Sequence, residues 1–496
     1  MTAVVDLPSP AAPAATPRPS RRLRPDRFFW LWPALTAGVI GGYQLPKAQL
    51  WRDELATLTA AGRSPGDMTR LAEHIDAVLT PYYWLMHVWI SVFGDSVRAL
   101  RSPSLLAVAA TAALVSLLGA RLFTVRAGVL GGLLFAVLPS VTRYGQEARP
   151  YALAALAATA ATLMLVEALR HGRWWRWTLY ALAVLALGGL HLVAVTLLTG
   201  HAVIVAYRAA RTRSWRPLPP AALAVTAAVV ALIPLALRGR EQVTTQLGTK
   251  PHPPSWEGVL HIVEHVSGST SIGGLLLGLC LLGVAADRRG RVAAAAIMVP
   301  IAAMVTVSTV TPIWHPRYLF FLVPLICVLA GAALARTPWP AGLVLVLVVA
   351  LLGLPDQRVA RTSHESRASR LIDYRAAARI IDRHREPGDA IVYKRDGWQF
   401  ADIAVEYYLG PDTPRDALAV RDRDAAGSFW TPERTDVAAA LARDTRVWVL
   451  VPDDVTGRRA TLPQPTTTAL TRDFTISGKW RVSGFDIQLL VRRQAR

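Results

Sequence analysis

The chain has 496 residues, 53% of them hydrophobic and 18% charged, with a mean hydropathy of +0.33. Soluble domains usually carry roughly 25% charged residues, and a bilayer span needs roughly 20 apolar ones, so this composition excludes a disordered chain and indicates a polytopic membrane protein. The net charge of +20 falls on connecting segments rather than on one face of a soluble domain, which argues against a nucleic-acid partner, and two cysteines, Cys280 and Cys327, exclude a disulfide framework.

Residues 1–27, rich in Ala, Pro and Arg, read as a disordered cytoplasmic arm. A cleaved signal peptide over 1–46 is the rival reading, opposed by a weak cleavage site. Apolar runs follow at about 28–46, 102–118, 127–141, 151–169, 177–188, 190–207, 218–237, 271–286, 292–312, 318–335 and 339–355. That gives about eleven crossings, with the runs at 127–141 and 177–188 short for the purpose. Gly38, Gly41 and Gly42 lie inside the first crossing and read as packing residues. No Walker A sequence occurs, which argues against an ATP-driven pump.

The arginines alternate between loops. Arg18, Arg21, Arg22, Arg24, Arg27, Arg121, Arg126, Arg170, Arg173, Arg176, Arg208, Arg211, Arg213, Arg216, Arg288, Arg289, Arg291 and Arg336 fall on one set of connections, against Asp6, Asp26, Glu167 and Asp287. The positive-inside rule makes that set cytoplasmic. The N-terminus is then expected inside the cell membrane and the tail outside. The apolar stretch 81–94 tests the count: if it crossed, Arg170, Arg208 and Arg288 would all face out. It reads instead as an interfacial helix with Trp84 and Trp89 at headgroup level.

The tail from about 356 changes composition. It predicts an amphipathic helix near 367–386, a strand at Ala390–Lys394, a helix near 399–408, and strands at Val447–Val451 and Trp480–Arg492. The fold class expected is an all-α polytopic membrane domain over 28–355 with a small C-terminal α/β extracytoplasmic domain over 356–496.

Chemistry-bearing residues gather in the outer loops. Asp53 and Glu54 follow the first crossing directly, where paired carboxylates suit general-base activation of a hydroxyl, with a divalent metal optional but not indicated. Solvated loop charges beside Arg52 are the plainer reading. In the second outer loop, Arg143 and Arg149 suit an anionic headgroup, with Glu147 orienting one of them and Tyr144 beside them. A helix-end anchor explains the same residues. Arg317 and Tyr318 lie where a phosphate would reach the membrane surface, or where an interfacial anchor would sit. His191 occupies a short outer hairpin and is structural or phosphate-facing. His261 and His265, four apart with Glu264 between, have metal-ligand spacing, but the order is not H-E-x-x-H and no third ligand is evident, so no metal site is assigned.

Together these residues resemble the bacterial C-type glycosyltransferases of glycosyltransferase family 39, the protein mannosyltransferase and lipid A aminoarabinose transferase group. The matching pieces are Asp53-Glu54, the Tyr-Tyr-Trp-Leu run at 82–85, Phe93-Gly94-Asp95-Ser96, Arg98-x-x-Arg101-x-Pro103, Tyr144 to Leu153, and Arg317-Tyr318-Leu319. The resemblance covers about 28–355 and leaves the tail out. Many relatives carry His-Pro-Pro where this chain has Leu79-Thr80-Pro81, a departure that bears on donor or acceptor identity. The resemblance implies an inverting transfer of a hexose or pentose from a polyprenyl-phosphate donor, without a cofactor, outside the membrane. The acceptor would be a hydroxyl on a glycan, lipid or protein. Asp53 matches the family's catalytic aspartate and Glu54 its neighbour; Arg149, Arg317 and His191 would hold the departing phosphate. A lipid-linked-sugar transporter, a flippase or a noncatalytic scaffold is the alternative class. A transporter would be expected to show repeat symmetry, and no clear repeat is visible.

Overall fold

The computed structural model describes residues 28–247, 255–364, 372–395, 399–453 and 461–494. The expected N-terminal arm and the first residues of the predicted helix near 367–386 lie outside the described residues.

Helix α1 spans Leu31–Gly42. Three helices then form the first long loop: α2 (Arg52–Ala61), α3 (Pro65–His74) and α4 (Thr80–Phe93). A run of apolar helices follows: α5 (Val97–Leu122), α6 (Val125–Val137), α7 (Pro139–Gly145), α8 (Tyr151–His171), α9 (Trp174–Leu190), α10 (Leu197–Thr212), α11 (Leu218–Leu247), α12 (Trp256–Ser267), α13 (Thr270–Ala286), α14 (Arg288–Ser308), α15 (Val323–Leu334), α16 (Trp339–Leu352) and α17 (Leu354–Ala360). Local chemistry sets many boundaries. Ser96, Thr124 and Asp287 cap α5, α6 and α14 by accepting from backbone N–H groups three residues on. Pro139 ends α6 and starts α7 at a 66° bend. At the 96° break between α12 and α13, Gly268 has φ of +80° and packs on the α6–α7 bend; a Cβ there would lie 2.5 Å from the Ser140 nitrogen.

Among the described residues, six helical segments are long and apolar enough to cross a bilayer, or up to nine if each of three bent pairs is one span. The sequence expectation of about eleven is higher. Of the runs read as crossings, α1 has 12 residues and α9 has 17, so α1 is well below and α9 at the lower edge of the roughly 17–25 needed. The stretch 81–94 folds as α4, 14 residues long. It buries Tyr82, Tyr83 and Met86 among the loop helices.

Helix α8 separates two polar ends of the bundle by about 30 Å at the usual rise per residue. At one end Glu167 gathers Arg121 (3.0 Å), Arg176 and His171. At the other, Tyr151 begins the helix beside the residues described below.

The tail carries α18 (Tyr374–His384), β1 (Ala390–Tyr393), α19 (Ala401–Leu409), β2 (Arg415–Asp416), α20 (Val437–Ala440), β3 (Arg446–Pro452), α21 (Gln464–Asp473), β4 (Phe474–Val482) and β5 (Phe485–Arg492). The five strands form one sheet in the order β2-β1-β3-β5-β4, with β1 parallel to β2 and β3 and the last two pairings antiparallel. The strand expected at Trp480–Arg492 is instead the turn and second arm of a hairpin, because Gly484 at φ +83° reverses the chain.

Strand alternation decides what the sheet covers. Ala390, Val392, Val447, Val449 and Leu490 face one way, toward Leu441 and Leu470. Ile391, Tyr393, Trp448, Leu450, Phe485 and Ile487 face the other way. They enter one continuous core with Leu55, Met68, Leu71 and Tyr82 of the first loop. Polar contacts follow the same seam: Arg375 donates to the carbonyl of Lys47 (2.9 Å), Arg63 pairs with Asp424 (2.9 Å), and Tyr408 accepts from the Leu50 nitrogen (3.0 Å). The sheet domain therefore lies on the same side of the bundle as the loop that holds Asp53.

Candidate active site

The site begins at the N-terminus of α2. Asp53 and Glu54 stand in its first turn, where the helix dipole favours negative charge. Neighbouring residues on an α-helix diverge by about 100°, so the two carboxylates point into different surroundings.

Glu54 turns inward and is fully buried. Arg101 meets it in a two-pronged contact, Nε to Oε1 at 2.8 Å and Nη2 to Oε2 at 2.7 Å. The Ala148 nitrogen also donates to Oε1 (2.9 Å), and Oε2 accepts from the Trp51 nitrogen at the start of α2 (3.4 Å). Burial alone would raise this carboxyl's pKa; Arg101 overcomes that and holds it well below the usual range. Arg101 in turn donates to the carbonyls of Leu45, Ala48 and Gln49. Arg101 thus fixes the loop entering α2, and its partner Glu54 ties that loop to Ala148 before α8.

Asp53 turns toward the bundle and keeps 18% side-chain exposure. Its Oδ2 lies 3.1 Å from Arg317 Nη1, its backbone oxygen 3.5 Å from Arg149 Nη1, and its Oδ1 3.7 Å from Arg52 Nε. Burial pushes its pKa up, but Arg317, then Arg149, Arg52 and Arg143, push harder and keep it ionised.

Aromatic rings wall the arginines. Arg317 stands over Tyr151 (5.8 Å) and Tyr318 (5.9 Å); His191 meets Tyr318 edge-on at 4.9 Å; Tyr144 packs on Tyr151 (5.4 Å) and Phe320 (4.4 Å). Burial, with smaller contributions from Arg317 and Arg149, pushes the His191 pKa down to about 4, so the ring is neutral at pH 7. Arg149 Nε, Arg317 Nε, His191 Nδ1 and Tyr82 Oη are buried polar atoms with no hydrogen-bond partner among the described residues. Buried donors are seldom left so, and this group is what an anionic oxygen-rich ligand would satisfy.

Glu147 lies behind this wall. Arg143 Nη1 contacts its Oε2 at 2.7 Å, while Oε1 has no hydrogen-bond partner. Burial pushes its carboxyl up to about 7, against the pull of Arg143. Arg143 also stacks on Trp51 (5.1 Å) and donates to the His364 carbonyl (2.6 Å).

The structure thus brings Asp53, Arg149, Arg317, His191, Tyr318, Tyr144 and Glu147 into one site, and places Glu54 in the adjoining buried ion pair. Several contributors escaped sequence reading. Asp76 adopts the left-handed region (φ +56°) and accepts from Tyr83 Oη at 2.7 Å; Arg149 lies between it and Asp53 in the electrostatics of the site. A lone aspartate before Ala77 gives no pattern to find it by. His364, with Nδ1 3.5 Å from Glu54 Oε2, comes from the start of the tail. Arg101 was visible as part of a motif, though its role was not.

No group of three His, Cys, Asp or Glu residues suited to a metal ion occurs among the described residues. His261 contacts Glu264 (3.2 Å), and the His265 ring turns back to the His261 carbonyl (2.9 Å).

Helical bundle, sheet domain and arginine-rich site define a multi-pass membrane protein with the C-type glycosyltransferase fold. Residues 81–237 match the model of the dolichyl-phosphate-mannose-protein mannosyltransferase family. Solved structures of ArnT from Cupriavidus metallidurans superpose over 92% of this chain and 97% of that one. The TM-score is 0.59 at 15% identity in the apo state, and 0.60 at 14% identity bound to undecaprenyl phosphate. The arabinosyltransferase EmbB from Mycobacterium smegmatis matches 65% of this chain and 32% of that one, with 19% identity and a TM-score of 0.41. No curated protein sequence matches. The chain is similar to the family 39 membrane glycosyltransferases that its motifs implied.

Proposed function

We propose that the chain transfers a sugar from a polyprenyl-phosphate donor to an acceptor hydroxyl at the outer face of the cell membrane, with inversion at the anomeric carbon. The observation that carries this reading is the convergence on Asp53 of two arginines whose Nε groups are buried without partners. ArnT, which has this fold, has been solved with undecaprenyl phosphate bound, and that supports a lipid-phosphate ligand.

In this mechanism the donor phosphate takes up Arg149 and Arg317, which match an anionic oxygen group better than lysines would. Drawing Arg317 onto the phosphate loosens its hold on Asp53 and makes that carboxylate more basic. The acceptor oxygen attacks the anomeric carbon from the face opposite the phosphate. Its proton passes to Asp53, the bond from carbon to phosphate oxygen breaks, and the electron pair leaves on the phosphate. Neutral His191 and Tyr318 line the departing group's side. Glu54 does not touch the reacting atoms here; through Arg101 it fixes where α2 begins, and so positions Asp53.

Transfer from a radiolabelled polyprenyl-phosphate sugar in membranes, with donor binding measured separately, tests the proposal. Loss of transfer with retained binding in Asp53→Asn supports it. Near-normal transfer by that variant overturns it.

A further inference from the structure

A second site stands out at the opposite, arginine-rich end of the bundle. Helices α10 and α14 are pressed together at Gly200, where a Cβ would lie 2.2 Å from the Ala296 oxygen and 3.0 Å from Pro300. Only glycine permits that approach. From this pinch the helices part toward their arginine-bearing ends, leaving a cleft of about 820 Å³. Val203, Ala206 and Ala210 of α10 face Val292 and Ala295 of α14 across it. At its mouth stand Arg288, Arg291 and Tyr207, with the Arg288 guanidinium 5.5 Å from the Tyr207 ring centre.

The cleft has an apolar floor and a cationic rim, and each part constrains the occupant. A soluble anion would satisfy the rim but gain nothing from walls of Val and Ala. A zwitterionic headgroup would bring a cation against two arginines. Asp287, beside Arg288 in the chain, is engaged by the Gly290 nitrogen as the cap of α14 (2.7 Å). Arginines at a helix end also serve as topology signals, but such a role needs neither a wedge nor an aromatic ring held under one of them.

We propose that this cleft is a binding site for an anionic glycerophospholipid of the bilayer, its phosphate between Arg288 and Arg291 and an acyl chain in the wedge. The site is separate from the one around Asp53 and does not depend on its assignment.

The test uses the full chain in nanodiscs of phosphatidylcholine with or without phosphatidylglycerol, followed by gentle detergent extraction and native mass spectrometry. The wild type should retain phosphatidylglycerol in preference to phosphatidylcholine. Arg288→Gln with Arg291→Gln should weaken that retention at least about tenfold, since two charge-assisted contacts are lost. Arg170→Gln with Arg173→Gln, which removes as much charge at the same end but outside the cleft, should leave it unchanged. Ala206→Phe keeps every charge, alters an exposed residue and fills the wedge, so it should also abolish retention. Equal losses in the two arginine pairs, unchanged retention in Ala206→Phe, or full displacement by inorganic phosphate would each overturn the proposal.

Discussion

Arg317 Nη1 lies 3.1 Å from Asp53 Oδ2, although 264 positions separate them in the chain. This contact joins the first long loop to the short 3-10 turn (Pro316–Leu322) that leads into α15. It also sets the charge state on which the proposed chemistry rests. Removing a general base typically costs about 10²–10⁴ in rate. Asp53→Asn is therefore expected to fold, bind donor and transfer slower by about that factor in the membrane assay.

Glu54 should behave differently. Both of its oxygens are engaged and its partner Arg101 is fully buried. Breaking one side of such a pair costs about 3–5 kcal/mol, because the remaining charge is left uncompensated. Glu54→Gln should lower thermal stability and the yield of folded protein, whereas Asp53→Asn should not. Thermal unfolding of both variants in detergent checks this; equal melting temperatures would count against a positioning role for Glu54.

Arg149→Lys and Arg317→Lys keep the charge but lose the planar fork of donors. Both should raise KM for the lipid donor while the protein stays folded. If Arg317 also modulates Asp53, its variant should lower kcat as well. Steady-state kinetics with varied donor distinguishes the two effects.

Glu147 predicts a pH dependence with a definite sign. Its carboxyl titrates near 7 in the folded chain against 4.5 for the free side chain, so between those values the folded state binds more protons. Its contribution to stability is therefore greatest below pH 4.5 and is lost as pH rises toward 7. The depressed histidines His191 and His364 act in the opposite sense over an overlapping window, from about pH 4 and about pH 3 respectively up to 6.5. Subtracting the Glu147→Gln profile from wild type isolates the carboxyl. That difference should fall between about pH 5 and 7 in melting-temperature scans.

The tail shares its core with the first loop, so truncation after Leu354 should abolish transfer by unfolding the loop around Asp53. Phe485→Ala, at a fully buried position in that shared core, should cost about 3–5 kcal/mol. A truncate that is folded but inactive would instead place tail residues in the chemistry itself. Limited proteolysis of the first loop separates these outcomes.

Much of the architecture was legible because its signals are local. Apolar run length marked most of the spans, alternating arginines separated the two ends, and strand periodicity found β1 and β3. Helix counts were less secure, since α1 and α9 are apolar but short and Pro139 breaks one run into two. Asp53, Arg149 and Arg317 could be named one by one from their loops. That they meet depends on packing between elements hundreds of residues apart, as does the different fate of Asp53 and Glu54. Adjacent letters in a sequence carry no direction; the turn of α2 points one carboxylate at Arg317 and the other at Arg101. Asp76 and His364 joined the site only through the tertiary fold, because no spacing rule links a left-handed loop aspartate to Tyr83 and Arg149, or a tail histidine to the buried Glu54–Arg101 pair.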